Sequence, residues 1–348
     1  MGKTRSQEKK NAKSIFEANL IHNFEFFLSS YPDLLNKFPY HSMQQFEIPN
    51  IKSIGFINKW DNFYIQTKRK LTFWNLTDDE FVQQSQFKGK FNYFKQHIKN
   101  KSLFAFSNDD NISIYNKSTT EVLNFKVEGN KIKGIEWLPK ENKLIAVLED
   151  GNIEVIDIES QTCYQQYNED DNTTSYSKIL LSSHKTNQFL SVIFNDQLKL
   201  IDFRDKYIIK NYQISNDVTA IDWFPSDTFG CALGYNYGNV DLYSYSKGET
   251  LFSQKISDNP INKISFCGSL ARNNAVGFSS GSSLYFSTLP DFGFGEFYVT
   301  QEYEQHLSDI VDFNWFVDGK NASIISCDKD SLVHLFGVPD EFTPIYQP

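Results

Sequence analysis

Residues able to do chemistry are present in this sequence, but their spacing does not gather them into a working set. The six histidines, His22, His41, His97, His184, His306 and His334, lack the H-x-x-H or H-E-x-x-H spacing that lets two imidazoles share a metal. The four cysteines, Cys163, Cys231, Cys267 and Cys327, never form a C-x-x-C pair, so buried free thiols are expected rather than zinc or dithiol redox chemistry. There is no G-x-S-x-G elbow, and Gly293-Phe294-Gly295 lacks the third glycine of a dinucleotide loop. Asp150, Asp196 and Asp330 recur at one place in successive units, where an aspartate fixes a turn by accepting backbone N–H groups. The reading is a non-enzyme with no catalytic, metal or cofactor residue.

The other chemistry-bearing stretch is the start, MGKTRSQEKK. Gly2 fits the M-G-x-x-x-[ST] acceptor for myristoylation, and Lys3, Arg5, Lys9, Lys10 and Lys13 face only Glu8, enough charge for a second, electrostatic membrane signal. The same residues suit a basic tail that touches RNA, an acidic protein or an import receptor, or a merely solvated one. Gly2-Lys3-Thr4 is no phosphate loop, because the upstream glycine is missing. A formal charge of -9 over 348 residues confines any nucleic-acid contact to such a local patch.

No stretch has the length of a membrane span, and the basic start is not followed by an apolar signal core. The expectation is an intracellular protein, cytoplasmic or nuclear, not secreted. Glycosylation patterns such as Asn75-Leu76-Thr77 and Asn321-Ala322-Ser323 then carry no meaning.

What positions these residues is a repeat. KLTFWN (70–75), NISIYN (111–116), NIEVID (152–157), QLKLID (197–202), NVDLYS (239–244), SLYFST (283–288) and LVHLFG (332–337) share one alternating pattern. Their closing positions, Trp74, Tyr115, Ile156, Ile201, Tyr243, Ser287 and Phe336, are 41, 41, 45, 42, 44 and 49 residues apart. Each follows an Asp, Asn or Gly turn and another apolar run. Further upstream, strands end in Trp137, Trp223 or Trp315 and a turn follows. Each unit therefore reads as strand, turn, strand, turn, strand, with a less regular fourth strand.

These residues resemble the WD-repeat family over roughly 46–342. The resemblance implies an all-β, seven-bladed β-propeller of four-stranded antiparallel blades. The blades are expected near 51–84, 90–128, 131–168, 175–214, 217–257, 260–304 and 308–342. No blade shows a recognisable Gly-His pair, and the closing Trp-Asp survives only as Trp74-Asn75, Ile156-Asp157 and Ile201-Asp202; individual blades can lose the family's hydrogen-bond network where strand packing carries them. MQQFEIP at 43–49 is expected to complete the seventh blade, hiding the edges an open ring would expose.

The chain then divides into a basic flexible tail (1–13), a helical extension (14–42) and the propeller (43–348). In the extension, Phe16, Leu20, Phe24, Phe27, Leu28 and Tyr31 fall at helical spacing, Ser14 and Glu17 form a capping box, and Pro32 stops the helix. That stripe packs on the propeller or docks a partner. A second partner-binding candidate is TLPDFGFGEFYV (288–299), with Phe292 and Phe294 as aromatic anchors and Phe297 and Tyr298 in the following strand. A third is the acidic insertion YNEDDNTTSY (167–176).

The functional expectation is a noncatalytic scaffold or adaptor whose partners are other protein subunits. Two alternatives are a membrane adaptor myristoylated at Gly2, and a component of an RNA-containing, ribosome-biogenesis-like particle.

Overall fold

The computed structural model describes residues 42–338 apart from 47, 78–79, 98, 128–130, 139–140, 168–175, 185–188, 205–206, 225–229, 268–274, 289–297, 304–305 and 319–320. The described strands form seven antiparallel sheets of four strands each. In order they span 51–88, 93–126, 132–167, 179–213, 218–255, 261–303, and 310–338 joined by Ser42–Gln45. Each unit read from the 41- to 49-residue spacing is one blade, and the seven quoted segments are its third strand. The proposed helix at 14–31 lies outside the described residues.

The strands form because their apolar residues have two faces to cover. The second strands Phe189–Phe194, Gly230–Tyr235 and Ala275–Ser280 are buried at every position, whereas the outer strand Glu121–Lys126 is mostly exposed. A sheet packed on both sides needs near-continuous apolar runs, and one packed on a single side alternates. The buried side chains form seven clusters, one at each boundary between neighbouring blades, so the core is a ring of interfaces rather than a central mass.

Ring closure follows the expectation. Ser42–Gln45 pairs antiparallel with Leu332–Val338 in the register Ser42↔Leu335 to Gln45↔Leu332. Phe46 continues it, donating its N–H to the Ser331 carbonyl at 3.0 Å and packing edge-on to Trp74 of the first blade. The inner strand of the seventh blade runs three residues past Trp315, over Ile310–Asp318, longer than the Trp-then-turn pattern implies.

Turn chemistry matches the sequence in part: Asp196, one of the three recurring aspartates, accepts from the Gln213 side chain rather than from a backbone N–H. Asp157 Oδ1 accepts the N–H groups of Glu159 and Ser160, and Asn116, Asp202 and Ser244 do similar work at the same corner of other blades. Asp150 holds its turn through the Asn152 N–H. In the seventh blade the residue that does this is Asp328, not Asp330: Asp328 Oδ1 accepts the N–H groups of both Asp330 and Leu332. Gly238 sits at φ +85° in the turn of the fifth blade, where a Cβ would meet the Ser257 carbonyl oxygen at 1.9 Å.

Candidate functional site

Each inner strand has one edge paired and one edge turned to the central channel, so unpaired N–H and C=O groups line its wall. Side chains from neighbouring blades satisfy several of them. Asp222 Oδ2 accepts the Phe266 N–H at 2.9 Å while Oδ1 accepts the Ser182 hydroxyl at 3.2 Å, joining the fourth, fifth and sixth blades. Asp312 Oδ2 accepts Ser53 Oγ–H at 2.7 Å and the Ile54 N–H at 2.9 Å, and Oδ1 accepts from Lys263 Nζ at 2.5 Å, joining the sixth, seventh and first. Lys95 and Glu136 form a 2.6 Å pair between the second and third. Burial opposes charge on Lys95, but Glu136, with Asp222 and Asp312 farther off, outweighs it and raises the ammonium pKa.

Trp137 and Trp223, which close inner strands, and Trp315, three residues short of the end of its own, do related work. Trp137, Trp223 and Trp315 donate Nε1–H to the carbonyls of Lys95, Ser182 and Ser265 at 3.1, 2.8 and 2.9 Å. Each bond crosses one blade boundary, and each meets the need of a buried indole for an acceptor. His97 packs at 4.7 Å from the Trp137 ring and His184 at 5.1 Å from that of Trp223. His97 Nδ1 accepts the N–H groups of Lys99 and Asn100, which puts its proton on Nε2. Burial, with Lys101, lowers its pKa and keeps the ring neutral.

The channel has a volume of about 880 Å³, and Lys52, Phe94, Lys101, Asn262 and Phe316 complete its wall beside the paired groups. Chemically it is a cavity of mixed polar and apolar lining whose carboxylates are already engaged as acceptors between blades. Among the described residues no three His, Cys, Asp or Glu side chains converge on a metal-sized site.

A hydrogen-bonded group unread in the sequence lies in the seventh blade. His306, just before that blade, places Nδ1 3.2 Å from Asp328 Oδ2 and Nε2 2.7 Å from Ser326 Oγ, and stacks on His334 at 4.2 Å. In this blade a hydrogen-bonded group adds to strand packing. The residue before the histidine is Gln305 rather than glycine, so no Gly-His signal marked it. Three of the four cysteines, Cys231, Cys267 and Cys327, are buried free thiols as expected. Cys163 is only half-buried and hydrogen-bonds Glu154 Oε2 at 3.0 Å.

Gly2, Lys3, Arg5, Lys9, Lys10, Lys13, Phe16, Leu20, Phe24 and Phe27 lie outside the described residues, as do Phe292, Phe294 and most of the acidic insertion. Tyr298 does open the fourth strand of the sixth blade, Tyr298–Tyr303. No helix among the described residues is long and apolar enough to cross a membrane.

A family model, the WD40 domain of anaphase-promoting complex subunit 4, matches residues 97–181, from the second blade into the inner strand of the fourth. No curated protein matches the chain. The partial match and the closed ring agree on one conclusion: this chain is a WD40-type β-propeller protein, an architecture that typically serves as a platform for protein–protein contact.

Proposed function

We propose that this ring is a noncatalytic scaffold subunit of a multi-protein assembly, holding partners on its faces and tethered through the segment before Ser42. The observation that carries this reading is the use of the channel's acids: Asp222 and Asp312 each fasten three blades. Acids committed to internal bonds make a rigid platform, and a rigid platform loses little entropy when a partner docks. The match to a domain of anaphase-promoting complex subunit 4 supports a place in an assembly of that kind.

Phe16, Leu20, Phe24 and Phe27 form the proposed tether, an apolar helical stripe that enters a groove on a neighbouring subunit. Affinity purification from the native cells tests this. Tagged full-length protein is expected to bring down a defined set of proteins, while deletion of 1–38 leaves a folded ring that loses at least one of them. Retention of every partner by the truncated chain rejects the tether, and recovery of no partner by the full chain rejects the scaffold.

A further inference from the structure

One end of the first blade is basic in a way that no other blade repeats among the described residues. Lys68 and Arg69 fill the turn between Asn62–Thr67 and Lys70–Thr77, Lys70 begins the third strand, and Lys88 ends the fourth, Glu80–Lys88. Lys52 is the second residue of the inner strand Ile51–Phe56, and Lys90 follows Lys88 by two. All six side chains are exposed. Ile51 pairs with Thr67 and Lys70 with Lys88, so the cations form a row from channel mouth to rim across one blade. At about 4.8 Å between strands, the row is about 15 Å long.

The row goes against local stability. Lys70 and Lys88 are direct cross-strand partners, and like charges placed so repel. No described carboxylate pairs with Lys52, Lys68, Arg69, Lys70 or Lys88, and Lys90 has only Asp109 at 4.0 Å. The third blade shows the ordinary solution at equivalent positions: Lys133 corresponds to Lys52, Glu149 to Lys68, and they form a 2.7 Å ion pair. In a chain of net charge -9, cations gathered at one blade end with so few partners among the described residues call for an anionic occupant.

The row is also held in shape. Thr67 Oγ1 accepts the N–H groups of Arg69 and Lys70 at 3.2 and 3.0 Å, and the carbonyls of Arg69 and Lys68 accept from Gly89 and Phe91 at 3.1 and 2.8 Å. The geometry points to a docking track for an Asp- and Glu-rich linear segment of a partner protein, about five extended residues long at 3.3 Å each. Five of the six cations are compact ammonium groups, which take carboxylates in any orientation. The exposed large apolar side chains, Val82, Val122, Tyr164, Tyr237 and Leu307, lie outside the row. Phe87, next to Lys88, is half-buried and stacked on Phe91 and Tyr115, so among the described residues the row presents no exposed aromatic platform for single-stranded nucleic acid and no apolar wedge for a bilayer.

The proposal rests on the scaffold reading for the occupant's being a protein. It is tested with full-length protein and a fluorescein-labelled peptide of alternating Glu and Ser, by anisotropy at about 50 mM and about 200 mM salt. The peptide is expected to bind and to weaken with salt. K68E/R69E/K88E should lose about tenfold or more, while K9A/K10A/K13A in the tail stays within about twofold. Because repulsive positions are relieved, the triple variant is expected to melt no lower than the wild type; if it does, K68A/R69A reads the same loss. No binding at low salt, loss that follows the tail variant, equal binding of a neutral Gln-Ser peptide, or tighter binding of an oligouridine or of phosphatidylserine vesicles would each overturn it. A synthetic peptide reports on the track alone, so this result and the co-purification result stand or fall separately.

Discussion

At the scale of residues, the interior of this protein uses carboxylates as fasteners. Asp312 receives a hydroxyl, a backbone N–H and an ammonium from two neighbouring blades. Asp312→Ala would strand the Ser53 hydroxyl and the Ile54 N–H and leave Lys263 only the Phe313 carbonyl, and a loss of about 3 to 5 kcal/mol is expected, seen as a lower urea midpoint. Cys231 makes a second residue-level case, since burial pushes its thiol pKa up to about 12. Protonated at neutral pH, it is expected to resist iodoacetamide in the folded state while Cys163, the half-buried thiol, labels first; mass spectrometry of native digests reads the order. Asp202 gives a pH dependence. Its hydrogen bonds from Arg204 pull the carboxyl pKa below the usual value, so its contribution is full above about pH 4 and is lost as pH falls through the folded-state pKa. Asp202→Asn should flatten the acid limb of a stability curve measured by urea at several pH values.

At the scale of elements, closure by Ser42–Gln45 covers the edge of the last sheet. Gln44→Pro would break that four-residue strand and open the edge of Leu332–Val338. Expected is a shift toward dimers and aggregates in light scattering; an unchanged monomer would show that the strand is dispensable. This element was legible in the sequence, as were the blades, because a period of 41 to 49 residues and alternating apolar positions are strong local signals. The inter-blade bonds were not. Glu136, Asp222 and Asp312 find partners 40 to 49 residues away in sequence, or 258 and 259 for the Ile54 N–H and the Ser53 hydroxyl, and nothing local marks those pairings. His306 escaped for the same reason, its partners Asp328 and Ser326 lying 22 and 20 residues on. The basic row was hidden too: Lys68, Arg69 and Lys70 are contiguous, but only strand pairing brings Lys88 beside them.

At the scale of the whole molecule, seven similar interfaces arranged in a ring distribute the core, so no single face has to be given up to packing. A ring of blades offers two ends and a rim as separate surfaces, which is what a subunit contacting several partners requires. On the scaffold reading, this protein works inside an assembly. Size-exclusion chromatography of a native lysate, with quantitative mass spectrometry across the fractions, tests it most directly. Elution well above the 40.4 kDa of the chain is expected, together with stoichiometric partner proteins. Elution as a lone chain near that mass, with no protein following its profile, would contradict it.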